Sequence, residues 1–308
     1  MHLKRIIPLL ISIISTLFYF SSVKAEIKVV TSIKPIHSLV SYIMEGVGSP
    51  DLIVDGYNSP HGFSLKPSHA KMLQEADIVI YVGEGVEEFL EKPLESIASN
   101  AVKFELLGQS GIKKLKFRER NIFGDHDDHD DHGHDKKAKK DDHDDHGHDD
   151  HGHGQFDPHI WLDPMNAKII VKKVTNQLSK LDKENSSIYK SNSKKALKEL
   201  DQMIKEVKSD VNKDAKVVVF HDAYQYFEKR FKVNIIGALT VNTDVLPGAE
   251  QLAEIREVIE HEKVTCVLSE PQFNPDIVET IAKDTNISSG VLDPLGATLD
   301  SGKTLYFN

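Results

Sequence analysis

A stretch dominated by histidine and aspartate, residues 125–153, has the most concentrated metal-binding chemistry in the sequence. It contains nine of the chain's sixteen histidines and twelve aspartates, and no large apolar side chain. Neutral imidazole is a common zinc ligand, and carboxylates add charge and oxygen donors. A plain acidic linker of this composition would also be disordered, but it would have no need of imidazole. We therefore interpret the stretch as an accessory metal-binding loop that uses His126, His129, His132, His134, His143, His146, His148, His151 and His153.

Three further histidines stand where a predicted strand gives way to a loop. They are His61 in NSPHGF, His159 in FDPHIWLDP and His221 in VVVFHDAY. Ligands of α/β lobes bind at the ends of strands, so these imidazoles could form a tri-histidine site with a fourth position for water or a carboxylate. Asp293 in VLDPLGA is the carboxylate candidate. Taken alone, His61, His159 and Asp293 could equally be ordinary turn residues.

Other polar residues near these motifs have simpler roles. Asp157 and Asp163 flank His159 and could hydrogen-bond to a metal-bound imidazole. His69 and His261 lie on polar helical faces, where we expect them to be solvated.

The alternation of short β-branched runs with helical stretches predicts an α/β fold with two similar lobes, whose parallel sheets are flanked by helices. A glycine-free and proline-free helical pattern between them predicts one long joining helix. The metal cleft would then lie between the lobes. The expected boundaries are an N-terminal lobe over 26–184 that includes the histidine-rich loop 125–154, a linking helix over 185–212 and a C-terminal lobe over 213–308.

The N-terminus has the features of a secretory signal peptide over residues 1–25. Lys4 and Arg5 precede an apolar stretch at 6–20, which is too short to span a bilayer, and small residues predict cleavage near Ala25. The mature chain should be exported and periplasmic. Its charge outside the histidine-rich loop is negative, which argues against nucleic acid and anionic membranes as partners. We expect a monomer.

The motifs together resemble a known family. PHGFSLKPSHAKMLQEADIVIYVG, FDPHIWLDP, VVVFHDAYQYFEKRF, LSEPQFNP and LDPLGA are similar to segments of the high-affinity zinc-uptake periplasmic binding proteins of ABC transporters. The resemblance implies a helix-linked two-lobe fold and a cleft site in which His61, His159 and His221 bind Zn²⁺ as cargo. It also implies delivery to a membrane permease, with the histidine-rich loop collecting or sensing zinc at low affinity.

The sequence departs from this family at two places. Some relatives have a glutamate directly before the first ligand histidine, where this chain has Pro60, so the fourth position falls to water or Asp293. Members also continue into a C-terminal helix whose cysteine pairs with the equivalent of Cys266, the single cysteine here. By that comparison the chain is truncated and lacks a disulfide, whose loss costs about 2–5 kcal/mol.

Two other functions compete with zinc transport. A manganese- or iron-binding protein of the same class would have a similar fold, but those ions prefer more oxygen donors. A tri-histidine zinc hydrolase would use the open fourth position for water. The sequence has no HExxH pair and no evident general base near the three motifs, so we expect a binding protein and not an enzyme.

Overall fold

A computed structural model describes residues 26–118, 121–122, 155–241, 243 and 247–308. The expected signal peptide and the nine histidines of the loop lie outside these residues. The described chain forms two α/β lobes, each built on a four-stranded parallel sheet, which confirms the predicted fold class. None of its described helices is both long enough and apolar enough to cross a bilayer.

The N-terminal lobe has strand order β2-β1-β3-β4 with all neighbours parallel. Its two internal strands, β1 and β3, are short and almost fully buried, as expected for a parallel sheet covered by helices. The bounds are β1 Val29–Ile33, α1 Lys34–Met44, β2 Asp51–Val54, α2 Pro67–Glu75, β3 Ile78–Tyr81, α3 Glu91–Ser96, β4 Val102–Glu105 and α4 Pro164–Leu181.

The C-terminal lobe repeats this arrangement with strand order β6-β5-β7-β8, so the first strand of each lobe is again flanked by the second and third. Its edge strand β8 has the sequence SSGV and is mostly exposed, which explains why apolar patterning does not predict it. The bounds are β5 Lys216–His221, α6 Gln225–Phe231, β6 Asn234–Thr240, α7 Ala249–Glu262, β7 Cys266–Ser269, α8 Asp276–Thr285 and β8 Ser288–Val291. Cys266 is a half-buried free thiol.

The long helix expected between the lobes is α5, Ser186–Asp210. Its first half buries a stripe that includes Tyr189, Ala196 and Leu200, and it packs mainly against α4 and α1. Its second half, with Ile204 and Val207, is less buried. The helix therefore stiffens the N-terminal lobe before it delivers the chain to β5.

The chain crosses between the lobes again after β8. The Trp161 Nε1 atom donates a hydrogen bond to the carbonyl of Pro294 at 2.8 Å, and the Tyr306 hydroxyl donates to the carbonyl of Trp161 at 2.5 Å. The buried Lys34 ammonium donates to the carbonyls of Ala297 and Leu299. The last residues, predicted within the C-terminal lobe, thus pack on the N-terminal one.

Helix α6 supplies a further contact between the lobes. Arg230 makes a bidentate ion pair with Asp163, with both N–O distances at 2.7 Å, and Asp163 also caps the start of α4. The buried hydroxyl of Tyr226 accepts a hydrogen bond from the Leu115 amide and donates one to the Asp157 carbonyl. A helix of the C-terminal lobe therefore holds two segments of the N-terminal lobe.

Replacing Tyr226 with phenylalanine should destabilise the protein by about 1–3 kcal/mol, because a buried amide and a buried carbonyl both lose their partner. Urea unfolding of the metal-free protein measures the change. Tyr57→Phe, at a side chain 61% exposed, is the matched control and should change the free energy of unfolding little. Equal stability of the two variants would contradict the role given to Tyr226.

Candidate metal centre

The imidazoles of His61, His159 and His221 meet between the two lobes. One ring nitrogen of each lies within 4.8 Å of the others, and among the described residues this is the group that could hold a metal ion. The His159 and His221 rings are buried and His61 is half-buried. The structure thus brings together the three histidines selected from the sequence.

Local structure explains how each ring reaches the centre. His221 is the last residue of β5, an internal strand of its sheet, so it emerges at the carboxyl edge. His61 lies in the turn after Pro60, where Gly62 adopts φ +68°, a left-handed conformation that favours glycine. His159 caps a short 3₁₀ turn, Ile160–Leu162, which precedes α4.

Two buried carboxylates orient the rings. The Asp157 Oδ1 atom lies 2.8 Å from His159 Nδ1 and also accepts a hydrogen bond from the His159 amide at 3.0 Å. The Glu270 Oε1 atom lies 2.7 Å from His221 Nδ1. Burial raises the pKa of the Asp157 carboxyl to about 7. When this group and Glu270 are ionised they can only accept, and each Nδ1 then carries the proton while each Nε2 presents its lone pair.

Those two lone pairs face each other across the lobe boundary. The distance between His159 Nε2 and His221 Nε2 is 3.4 Å. Two neutral imidazoles in this tautomer repel at that distance, and either a shared proton or a cation relieves the repulsion. Such a pair, with His61 beside it, is a site prepared for a metal ion that prefers nitrogen.

The electrostatics of the two buried rings differ. Burial, together with the nearby His221, lowers the pKa of His159 to about 3, so this ring is neutral and ready to bind metal. Burial also lowers the pKa of His221, but the charge and the hydrogen bond of Glu270 outweigh it and leave the pKa raised above 6.5. His221 is therefore the ring at which protons compete with a metal.

The cavity beneath the rings is small. Its walls include Trp161, whose ring centroid lies 5.3 Å from that of His159, and Phe273, 6.0 Å from His221. The space measures about 10 Å³, room for a single water-sized sphere. These dimensions suit an ion with one additional small ligand.

Asp293, the predicted fourth ligand, has other partners in this structure. Its Oδ1 atom accepts hydrogen bonds from Gln272 Nε2 and the Leu295 amide, both at 3.1 Å, and its Oδ2 atom accepts from the Thr298 amide at 3.2 Å. These contacts are those of a turn-forming aspartate. Its role as a ligand stays a prediction.

Two residues near the motifs differ from expectation. Asp163 contacts Arg230 and the α4 N-terminus, whereas Asp157 supports His159 as the sequence suggested. The prediction that His69 is solvated is wrong: its ring is buried against Phe63 and its Nδ1 accepts a hydrogen bond from the Lys66 amide at 3.1 Å.

Glu270 is the functional candidate that sequence reasoning missed. It directly follows β7, just as His221 ends β5, and the two strands are parallel neighbours. The carboxyl ends of adjacent parallel strands meet at one edge of a sheet. The signal available in the sequence was therefore the glutamate of SEP, which follows the strand-like run VTCVL. Using it required the strand order, which the sequence does not give.

Comparison with known proteins identifies the family of this chain. A family model described as zinc-uptake complex component A, periplasmic, matches residues 29–308. The chain belongs to the ZnuA family. The high-affinity zinc uptake system protein ZnuA of Brucella abortus (strain 2308) is 42% identical to it over 293 residues, which cover 90% of this chain and 86% of that protein.

Solved structures of the same fold extend beyond close relatives. A crystal structure of ZnuA superposes with a TM-score of 0.72 at 23% identity, covering 89% of this chain and 93% of that one. The manganese complex of the solute-binding protein FpvC from Pseudomonas aeruginosa has a TM-score of 0.73 at 18% identity, covering 92% and 94%. At these identities the likeness shows the ZnuA-type fold alone.

Replacing Glu270 with glutamine should weaken zinc binding about 10- to 100-fold, because the neutral amide holds and polarises His221 less strongly. Competition with a chromogenic chelator measures the dissociation constant. Glu262→Gln, at an exposed position on α7, removes the same charge and should leave the affinity unchanged. Equal affinity in the two variants would remove Glu270 from the site.

Zinc affinity should fall as the pH decreases through the raised pKa of His221, so the fall begins above pH 6.5. Below that pKa the metal must displace a proton, and the affinity decreases by up to about tenfold per pH unit. In Glu270→Gln the fall should begin at lower pH, because the group that raises the pKa is gone. Dissociation constants measured from about pH 8 to about pH 5.5 test this. The same midpoint in both proteins would contradict it.

Proposed function

We propose that this chain captures Zn²⁺ in the cleft between its lobes and delivers it to the membrane permease of a zinc ABC transporter. The observation that supports the proposal most strongly is the convergence of His61, His159 and His221, drawn from both lobes onto one point. Membership of the ZnuA family supports the same function. Zn²⁺ is the transported cargo, and the chain acts as a binding protein in the periplasm after removal of residues 1–25.

The donor set favours zinc over manganese or iron. Three imidazole nitrogens with one open position match tetrahedral zinc, whereas Mn²⁺ and Fe²⁺ favour sites with more oxygen. The nearest carboxylates, Asp157 and Glu270, each use an oxygen to hold an imidazole. A protein of the same fold binds manganese, so the choice of metal must depend on the side chains of the site and not on the fold.

Water is the better candidate for the fourth ligand. Asp293 accepts three hydrogen bonds within 3.2 Å from its own turn and from Gln272, and binding a metal would require exchanging some of them. The cavity has room for one small ligand beside the ion. We propose a tri-histidine site completed by water, with Asp293 shaping the turn above Pro294.

The same cavity argues against a hydrolase. A hydrolytic zinc site needs space for a substrate and a group that accepts a proton from the attacking water. The described cavity is lined by Pro60, Trp161 and Phe273 and has room for about one water-sized sphere. We propose that the protein binds and releases zinc without turnover, and a zinc-loaded sample should not cleave esterase or phosphatase substrates.

The histidine-rich loop is assigned an accessory role. We propose that it collects or senses zinc at lower affinity, since it carries nine histidines among twelve aspartates. The loop ends close to the cleft, because residues 156–158 lead directly into His159. Zinc bound by the loop would therefore be concentrated near the cleft.

Calorimetric titration of three proteins tests the division between the two sites. Wild-type protein should show one tight zinc site and several weak ones, and deletion of residues 125–153 should remove only the weak ones. His221→Ala should lose the tight site, by at least about 100-fold, and keep the weak ones. Loss of the tight site on loop deletion would contradict the assignment.

A further inference from the structure

The base of the histidine-rich loop is a pair of short segments, residues 115–118 and 156–159, which we call the neck. Lys116 and Phe156 form an antiparallel bridge, and the Asp157 amide donates a hydrogen bond to the Leu115 carbonyl at 2.8 Å. The second segment ends at His159. The position of this imidazole therefore depends on how the neck is held.

The neck is held by the C-terminal lobe, just beyond His221. Gln225 Nε2 donates to the Lys116 carbonyl at 3.0 Å, and the Tyr226 hydroxyl bridges the two segments of the neck. Both residues belong to α6, which begins four residues after His221. The segment that leads into His159 and the turn that follows His221 are thus in direct contact.

Arg118 adds an ion-pair network to this contact. Its Nη1 atom donates to Asp222 Oδ1 at 2.9 Å, and its Nη2 atom donates to Glu228 Oε2. Asp222 is the residue after His221, and Glu228 lies on α6. The exposed side-chain fractions of Arg118, Asp222 and Glu228 are 17%, 7% and 19%, so the network is shielded from solvent.

We propose that Arg118 is a positioning residue for zinc binding: its guanidinium fixes the neck, and with it His159, against the turn that carries His221. This inference rests on the proposed zinc site. Arg118 acts through Asp222 and Glu228 and is not itself a ligand. The planar guanidinium group can donate to two carboxylates at once, which the ammonium group of a lysine cannot do in the same geometry.

Charge and positioning predict opposite effects when Arg118 is replaced. Removing a positive charge near a cation site would, by electrostatics alone, strengthen Zn²⁺ binding. Removing the guanidinium group releases the neck and leaves the buried Asp222 without this partner. His159 then moves away from His221, and Zn²⁺ binding weakens. The sign of the change in affinity therefore distinguishes the two.

The experiment measures zinc dissociation constants by chelator competition in the full chain for wild type, Arg118→Gln, Arg118→Lys and Glu228→Gln. Arg118→Gln should bind zinc about tenfold more weakly or worse, in the range seen for outer-sphere partners of metal ligands. Arg118→Lys should recover part of the lost affinity. The affinity of Glu228→Gln should lie between those of Arg118→Gln and wild type. Arg256→Gln, which removes the same charge from the α7–α8 ion pair with Asp284, is the matched control and should bind as wild type does.

Co²⁺ substitution supplies a readout that a loss of general stability would not change. Wild type and the control should give the intense visible bands of a tetrahedral site, and Arg118→Gln should give weaker, shifted bands even when saturated. If Arg118→Gln does not fold, as judged by thermal unfolding without metal, Arg118→Lys and Glu228→Gln carry the test.

Several results would overturn the proposal. Arg118→Gln could bind zinc as tightly as wild type or more tightly, or its Co²⁺ spectrum could be unchanged. If Arg118→Gln does not fold, wild-type affinity in both remaining variants would count equally against it. In all these cases, if wild type still binds zinc tightly, only the role of Arg118 is refuted and the proposed zinc site stands. If wild type itself does not bind zinc tightly, the proposed function is refuted instead.

Discussion

The structure depends on bringing two imidazole nitrogens, one from each lobe, to within 3.4 Å of each other in a buried place. Without a shared proton or a cation this contact is unfavourable, because both lone pairs point at the same space. Asp157 and Glu270 maintain it by fixing the proton on the far side of each ring. The two carboxylates thus hold both rings with their Nε2 atoms turned toward one point, which is the orientation that binding a metal requires.

This contact sets requirements for the rest of the molecule. Each lobe must present its ligand at a strand end or in a rigid turn, and the lobes must keep a fixed separation. Helix α5 leads from one lobe to the other, α6 docks on the neck and on Asp163, and the residues after Pro294 return to the N-terminal lobe. Because the lobes are joined at three places, a large hinge opening would break buried hydrogen bonds. We therefore expect the lobes to tilt only slightly when zinc is released.

The sequence predicted the fold class and the three imidazoles, because β-branched runs mark parallel strands and His221 directly follows one. It could not predict Glu270 or Arg118 as partners. Their roles depend on which strands are neighbours and on where the neck meets α6, and both are tertiary facts. The sequence also predicted α5 as a helix without its buried face, which packing on α1 and α4 decides through Tyr189, Ala196 and Leu200. Asp163 shows the converse, because proximity to His159 in sequence did not bring it to the ring.

We expect one tightly bound zinc ion to be held by three imidazoles in the cleft and not by the histidine-rich loop. X-ray absorption at the zinc edge, with one equivalent of zinc on the wild-type protein and on the protein lacking residues 125–153, tests this directly. Both proteins should give the same spectrum, with three imidazole nitrogens at about 2.0–2.1 Å and one oxygen. A shell dominated by oxygen, or a spectrum that loses its imidazole scattering when the loop is removed, would contradict it.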